Sequence, residues 1–413
     1  MKRIYCSVLA ILFCVTSCFA TSTTTATTTT STAAAVTTPA TPITQAPIPS
    51  AMPTVGNTPT VIPTAPNLGS AAYVLMDANT GMILAHKNMH EQRQPASLTK
   101  LMTLYLTFQA LKNNQIHLTD NVRISKKAWA TGGSRMFVKE GSLVPVQELI
   151  NGIVVASGND ACTALAQYVG GNEATFVTMM NATAKQLGMN GTHYADPTGL
   201  PAPGHVTTAY DMALLTRAII VGFPQYYANF KQGWITYNNI KQPNTNRLLW
   251  RDHSVDGLKT GHTQAAGYCL ISSALRHGMR LVSVVMGSST VAKNMDDSEA
   301  LLNWGYRFYS THKLFEANKS LATPGVYLGK SGTVPVGLAS PLYVTIQAGN
   351  YSYLTPKVDI TKLQAPIKKG QTVGTLNIYL HKNIVASAPL VALESDSKGN
   401  MVMRTWDRIS RVF

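Results

Sequence analysis

The sequence predicts an α+β fold: one antiparallel sheet with helices packed against it, then a small all-β domain. Strand patterns stand at both ends of residues 68–311 with helical patterns between them. Near Thr311 the pattern changes to short alternating runs broken by Pro and Gly. At 413 residues, 45% hydrophobic and 13% charged, the chain is globular and long enough for two sizeable cores.

The elements follow in order. Met1-Lys2-Arg3 is a basic n-region, Ile4 to Val15 a mostly apolar h-region, and Cys18-Phe19-Ala20 ends in a small residue. This reads as a secretory signal peptide over residues 1–20, since the apolar run is short for a membrane span. Val15-Thr16-Ser17-Cys18 leaves lipoprotein processing as the alternative. Residues 21–67 are Thr, Ala, Pro and Ser almost throughout and read as a disordered linker. Ala72–Asp77 and Met82–His86 flank Ala78-Asn79-Thr80-Gly81, a hairpin turn. Leu98–Leu111 is apolar on nearly every face, as a helix buried in the middle of a domain must be. Helices are predicted over Val146–Val155, Asp160–Tyr168, Glu173–Gln186 and Ala209–Ile220. Strands follow over Gly267–Ala274 and Arg280–Gly287 around the turn His277-Gly278, then a closing helix over Leu301–Phe308. The all-β domain is expected over 312–396 and a tail over 397–413.

Of five cysteines, only Cys162 and Cys269 remain after cleavage at Ala20, so no disulfide framework supports the fold. Cleavage also removes Lys2 and Arg3, lowering the formal charge of +15 by two. A basic exported chain is drawn to anionic lipid and wall polymers. Nucleic acid is excluded as a partner by export and by the lack of a recognition motif.

Three motifs carry chemistry. Ser97 and Lys100 stand one helical turn apart and share a face. A serine hydroxyl becomes nucleophilic when a base takes its proton, and a lysine serves as that base when burial lowers its pKa. Pro95-Ala96 reads as a helix start, placing Ser97 near the positive end of the dipole. Ser157-Gly158-Asn159 lies between two helices and can enter a cleft, Ser157 relaying a proton and Asn159 holding a substrate backbone. Lys259-Thr260-Gly261 precedes strand-forming residues. There Gly261 is expected to let a peptide lie close, and Lys259 and Thr260 to hold a carboxylate. Ser310–Lys313 and Ser395–Lys398 repeat the Ser-x-x-Lys spacing, but neither starts an apolar helix and both come too late. Lys330-Ser331-Gly332 reads as a plain turn.

Together these residues resemble the low-molecular-mass penicillin-binding proteins of the D-alanyl-D-alanine carboxypeptidase type, peptidase family S11. The likeness extends over Pro95–Thr103, Ser157–Cys162, Val255–Thr263 and Leu302–Phe308. It implies a β-lactamase/transpeptidase-like catalytic domain and hydrolysis of the terminal D-Ala from cell-wall pentapeptide stems. In that reading Ser97 forms the acyl-ester, Lys100 accepts its proton, and Ser157 with Lys259 passes one to the departing D-Ala. The N–H groups of Ser97 and His262 form the oxyanion hole. β-Lactams acylate the same serine, and no metal or organic cofactor is implied. The chain departs from the family where an arginine helps bind the terminal carboxylate: Gly287-Ser288-Ser289-Thr290 has none, and Thr245 stands where one is expected. Either Arg247 substitutes, or Lys259 and Thr260 act alone.

At 100° per residue, Val402, Trp406, Ile409 and Phe413 share one helical face and Arg404, Arg408 and Arg411 the opposite one. Residues 401–413 are therefore expected to attach peripherally to an anionic membrane surface, the periplasmic face of the inner membrane. The alternatives are a DD-endopeptidase, which generally lacks the β domain and tail, and a silent wall-binding scaffold, which needs a broken site. A class A β-lactamase fits less well, because its deacylating Glu motif is not apparent.

Overall fold

The structure, a computed structural model, describes residues 62–401. The signal peptide, most of the Thr-rich stretch and the tail from residue 402 lie outside the described residues. Ala65, assigned to the linker from sequence, already packs beside Leu68 against the catalytic sheet.

The first hairpin is β1 (Ala72–Asp77) and β2 (Ile83–Lys87). Three strands from the far end complete the sheet: β3 (Val255–Thr263), β4 (Gly267–Arg276) and β5 (Met279–Ser288). The order is β2-β1-β5-β4-β3, antiparallel throughout, so the early and late parts of the catalytic domain meet where β1 pairs with β5. Strand side chains alternate between faces. Ala72, Val74 and Met76 therefore enter the core on the helical side, while Tyr73 and Leu75 enter a smaller core on the opposite face.

The helical side holds α1 (Lys100–Lys112), α2 (Val146–Ala156), α3 (Asn159–Gly170), α4 (Glu173–Gln186) and α5 (Ala209–Gly222). Ten of the thirteen residues of α1 are buried, as its lack of a polar face predicts. Caps set the helix starts: Asn172 accepts from Thr175 N at 2.8 Å and Thr208 from Asp211 N at 3.0 Å. On the other face lies α6 (Val291–Phe308), which begins ten residues before the predicted Leu301. Its first turns are polar, yet Asn294, Asp297 and Ser298 are buried, so hydropathy hides the start that Thr290 caps.

The second domain begins where α6 runs straight into β6 (Tyr309–Phe315), which pairs with β7 (Leu342–Gln347). A five-stranded sheet follows, built mainly on β8 (Leu354–Ile360), β9 (Thr372–Leu380) and β10 (Asn383–Ala392), with its own apolar core. Pro356 sits in β8 at the edge, where a missing N–H is tolerated. The buried Asp77 carboxylate ties this domain to the first hairpin. It accepts from Thr311 Oγ1 at 2.6 Å and from Thr80 N at 2.8 Å, and Thr345 Oγ1 lies 2.7 Å from Thr80 Oγ1.

Candidate active site

Ser97 does not lie in α1. Ala96–Thr99 form a separate 3-10 turn, and α1 starts at Lys100. The three-residue spacing still brings the side chains together: Lys100 Nζ donates to Ser97 Oγ at 2.7 Å and to Thr198 O at 2.8 Å. Lys100 is fully buried, and this desolvation pulls its pKa from 10.5 to about 8. The carboxylates of Asp196 and Asp160 pull the other way. Cys162 adds no charge at neutral pH, because burial pushes its thiol up to about 12.

Ser157 ends α2 in the left-handed region, φ 56°. A non-glycine residue there costs on the order of 1 kcal/mol, and here the bend turns the hydroxyl toward the cleft. Lys259 Nζ donates to Ser157 Oγ at 2.8 Å and to Thr260 O at 2.9 Å. Burial, and then the charge of Lys100, hold Lys259 well below the usual lysine range. Asp160 fixes the facing loop by accepting from Met136 N at 3.0 Å and Phe137 N at 2.8 Å. Asn159 Nδ2 donates to Gly132 O at 2.6 Å, while its buried Oδ1 has no partner among the described residues.

These groups surround a cleft of about 320 Å³ lined by Ser97, Ser157, Thr260, Gly261 and His262, together with Ser134, Thr245, Asn246 and Arg247. Lys100, Lys259 and Asn159 lie behind this lining. Two expectations change. Lys259 does not face the cleft to meet a carboxylate; it points inward at Ser157, and its burial forbids a spare charge there. Gly261 lies within β3, and its missing side chain serves the nucleophile. A Cβ there would stand 3.2 Å from Ser97 N, 3.2 Å from Leu98 N and 3.1 Å from Pro95 O.

Thr260 Oγ1 donates to Thr245 Oγ1 at 2.8 Å, so the residue in place of the expected arginine braces the strand's threonine. Asn246 holds this segment to β3 by donating to Gly257 O at 3.2 Å. Exposed Arg247 forms no ion pair among the described residues; its guanidinium lies 5.9 Å from the Trp250 ring. Sequence reasoning missed Ser134, which carries no motif, and Tyr268, whose ring stacks on His262 at 4.1 Å. The Ser-x-x-Lys repeats at Ser310 and Ser395 and the turn at Lys330 all fall in the second domain.

Residues 59–290 match the family model described as D-alanyl-D-alanine carboxypeptidase, and residues 309–398 match that of the penicillin-binding protein 5 C-terminal domain. The chain is 43% identical over 358 residues to D-alanyl-D-alanine carboxypeptidase DacC of Escherichia coli K12, covering 84% of this chain and 90% of that protein. It is 40% identical over 366 residues to DacA of the same organism, covering 86% and 91%. The crystal structure of penicillin binding protein 5 from Haemophilus influenzae superposes with a TM-score of 0.76 at 39% identity, covering 81% of this chain and 99% of that one. Penicillin-Binding Protein D2 from Listeria monocytogenes in its ampicillin-bound form gives 0.54 at 31% identity, covering 58% and 99%.

Proposed function

The chain belongs to the D-alanyl-D-alanine carboxypeptidase family, peptidase S11, and from that premise we propose how its own residues carry out the reaction. The enzyme is a serine-type D-Ala-D-Ala carboxypeptidase that binds peptidoglycan stem peptides and β-lactams. The contact between buried Lys100 and Ser97, 2.7 Å at a pKa of about 8, carries the mechanism.

Neutral Lys100 takes the Ser97 proton as Oγ attacks the carbonyl of the penultimate D-Ala. The backbone N–H groups of Ser97 and His262 receive the oxyanion. Lys259 already donates to Ser157 Oγ, so the Ser157 proton is free to reach the departing amine, and the proton that Lys100 took from Ser97 replaces it on Ser157, which leaves Lys100 neutral again. The C–N bond breaks, free D-Ala leaves, and the shortened stem remains esterified to Ser97. Water then attacks the ester, Lys100 takes its proton, and the acid product leaves as the Ser97 hydroxyl reforms. Asn159 braces the facing loop at Gly132, and its buried, unpartnered Oδ1 accepts a substrate N–H on a shift of that loop. Arg247, a cation in the cleft lining, takes the terminal carboxylate, and Thr260 joins it by turning its hydroxyl away from Thr245; Lys259 is turned to Ser157.

The protein is exported and sits at the periplasmic face of the inner membrane. The alternation of Arg404, Arg408 and Arg411 with Val402, Trp406, Ile409 and Phe413 supports attachment through residues 401–413. Deleting 401–413 should release the protein from anionic vesicles; retention by the truncated form would refute the anchor.

The chemistry is tested with a D-Ala-D-Ala pentapeptide, cross-linked muropeptides and fluorescent penicillin, using wild type and Ser97→Ala. D-Ala release and covalent label, both lost in the variant, are expected. Cleavage of cross-links without D-Ala release would make the enzyme an endopeptidase, and an unlabelled wild type would refute Ser97 as the nucleophile.

A further inference from the structure

Behind the cleft lies a second ionisable pair that no motif announces. Asp196 Oδ1 accepts from Thr198 N at 2.6 Å, Thr198 Oγ1 at 2.6 Å and Gly199 N at 2.8 Å. That fixes the peptide whose carbonyl, Thr198 O, receives Lys100. The other carboxylate oxygen, Oδ2, lies 3.0 Å from Nδ1 of His205, a ring 3% exposed. The far nitrogen, Nε2, lies 2.9 Å from Oγ1 of the fully buried Thr99. Thr99 stands between Ser97 and Lys100 in the turn. Gly199 closes on the same turn so tightly that any side chain would collide with the Ala96 carbonyl. The loop 196–199 and the nucleophilic turn therefore meet at both Lys100 and Thr99.

We propose that Asp196 and His205 are a positioning pair: through Thr198 and Thr99 they fix Lys100 and the Ser97 turn relative to one another and so govern acylation. The inference rests on the reading of Ser97 as nucleophile and Lys100 as base. Burial works against the Asp196 charge, but the bonds from His205 and Thr198 prevail and hold its pKa at about 2. His205 Nδ1 also lies 3.4 Å from the Ala195 N–H, so the ring is held between Asp196, Ala195 and Thr99. Neither residue lines the cleft, so substrate binding does not depend on them directly. The charged or titratable groups around Lys100 are Asp160 and Cys162 on α3, Lys259 on β3, and Asp196 with His205 behind the turn. Removing the Asp196 charge favours the free base of Lys100.

The test measures acylation by fluorescent penicillin from pH 6 to 10 on the full chain, with peptide KM and thermal melting alongside. Asp196→Asn keeps an acceptor for the loop and removes the charge. Its plateau rate should fall about tenfold, its rising limb should move to lower pH by about half a unit, and KM should stay within about twofold. Thr99→Val removes the other contact. Its plateau should fall several-fold with the limb in place, and this variant decides the matter if Asp196→Asn does not fold. An Asp196→Asn limb at the wild-type position, a loss expressed wholly in KM, or a Thr99→Val enzyme as fast as wild type would overturn the pair's role. A wild-type protein that takes no label would instead overturn the assignment of Ser97 and Lys100.

Discussion

Gly261→Ala puts a single methyl group between the catalytic strand and the nucleophile. Its Cβ would meet Pro95 O at 3.1 Å and the Ser97 and Leu98 nitrogens at 3.2 Å. Carbon reaches its best non-bonded separation at about 3.5–4.0 Å, so the turn must retreat by about 0.3 Å or more. All three contacts are main-chain atoms, and no rotamer change relieves them. Gly261 is not among the glycines with positive φ, so alanine adds no backbone strain there. The retreat carries Ser97 away from β3 and from Ser157, which hangs on Lys259. A displacement of about 1 Å costs a catalytic site about a hundredfold, so several tenths should cost acylation about tenfold, or about 1.4 kcal/mol of barrier. Overpacking should also take about 1–3 kcal/mol from stability. Stopped-flow acylation with fluorescent penicillin reads the first effect and denaturant unfolding the second. Acylation within twofold of wild type would refute the reasoning. So would a defect confined to KM, because it would return the glycine to the substrate-facing role expected from sequence.

Other perturbations follow from the same geometry. Lys100 acts as free base with a pKa of about 8, so acylation should rise about tenfold from pH 6 to 7 and level above about pH 9; a profile flat from pH 6 to 9 would remove Lys100 as the base. Arg247→Ala should raise peptide KM about tenfold with kcat nearly unchanged, as expected for loss of a charge-assisted bond made equally before and during reaction; an unchanged KM would leave the carboxylate to Thr260. Thr311→Val removes the 2.6 Å donor to buried Asp77 and should cost about 1–3 kcal/mol in denaturant unfolding, and a cost below about 0.5 kcal/mol would mean the tie is not felt.

Much of this architecture was legible because helix and strand periods survive wherever one face meets a core. The Glu173–Gln186 helix has the bounds its pattern predicted, and α1 is buried all round because its sequence offers no polar side. Legibility failed where burial is polar. The first turns of α6 look like a solvated loop until Asn294 is seen donating to Ser288 Oγ at 3.1 Å and Asp297 accepting from Ser70 N at 3.1 Å. The short hairpin Trp234–Tyr237 with Ile240–Pro243, which leads into the Thr245 segment, was missed for a different reason: strands of four residues give alternation too little length to register. In the site, spacing paired Ser97 with Lys100 and the resemblance joined Ser157 with Lys259, but the motif alone turned Lys259 toward a carboxylate. That Lys259 serves Ser157 rather than a carboxylate depends on strand β3 lying against the bend after α2. Contacts 102 residues apart leave no local trace.

The junction of the two domains has a mechanical meaning. No residue separates α6 from β6, and the Asp77 carboxylate binds the first hairpin to Thr311 on the other side of the joint. A hinge needs a few residues free to change φ and ψ, and this joint has none in its main connection. The β domain is therefore a strut. A pull on the β domain reaches the first hairpin of the catalytic sheet directly, through one side-chain bond and one unbroken run of main chain.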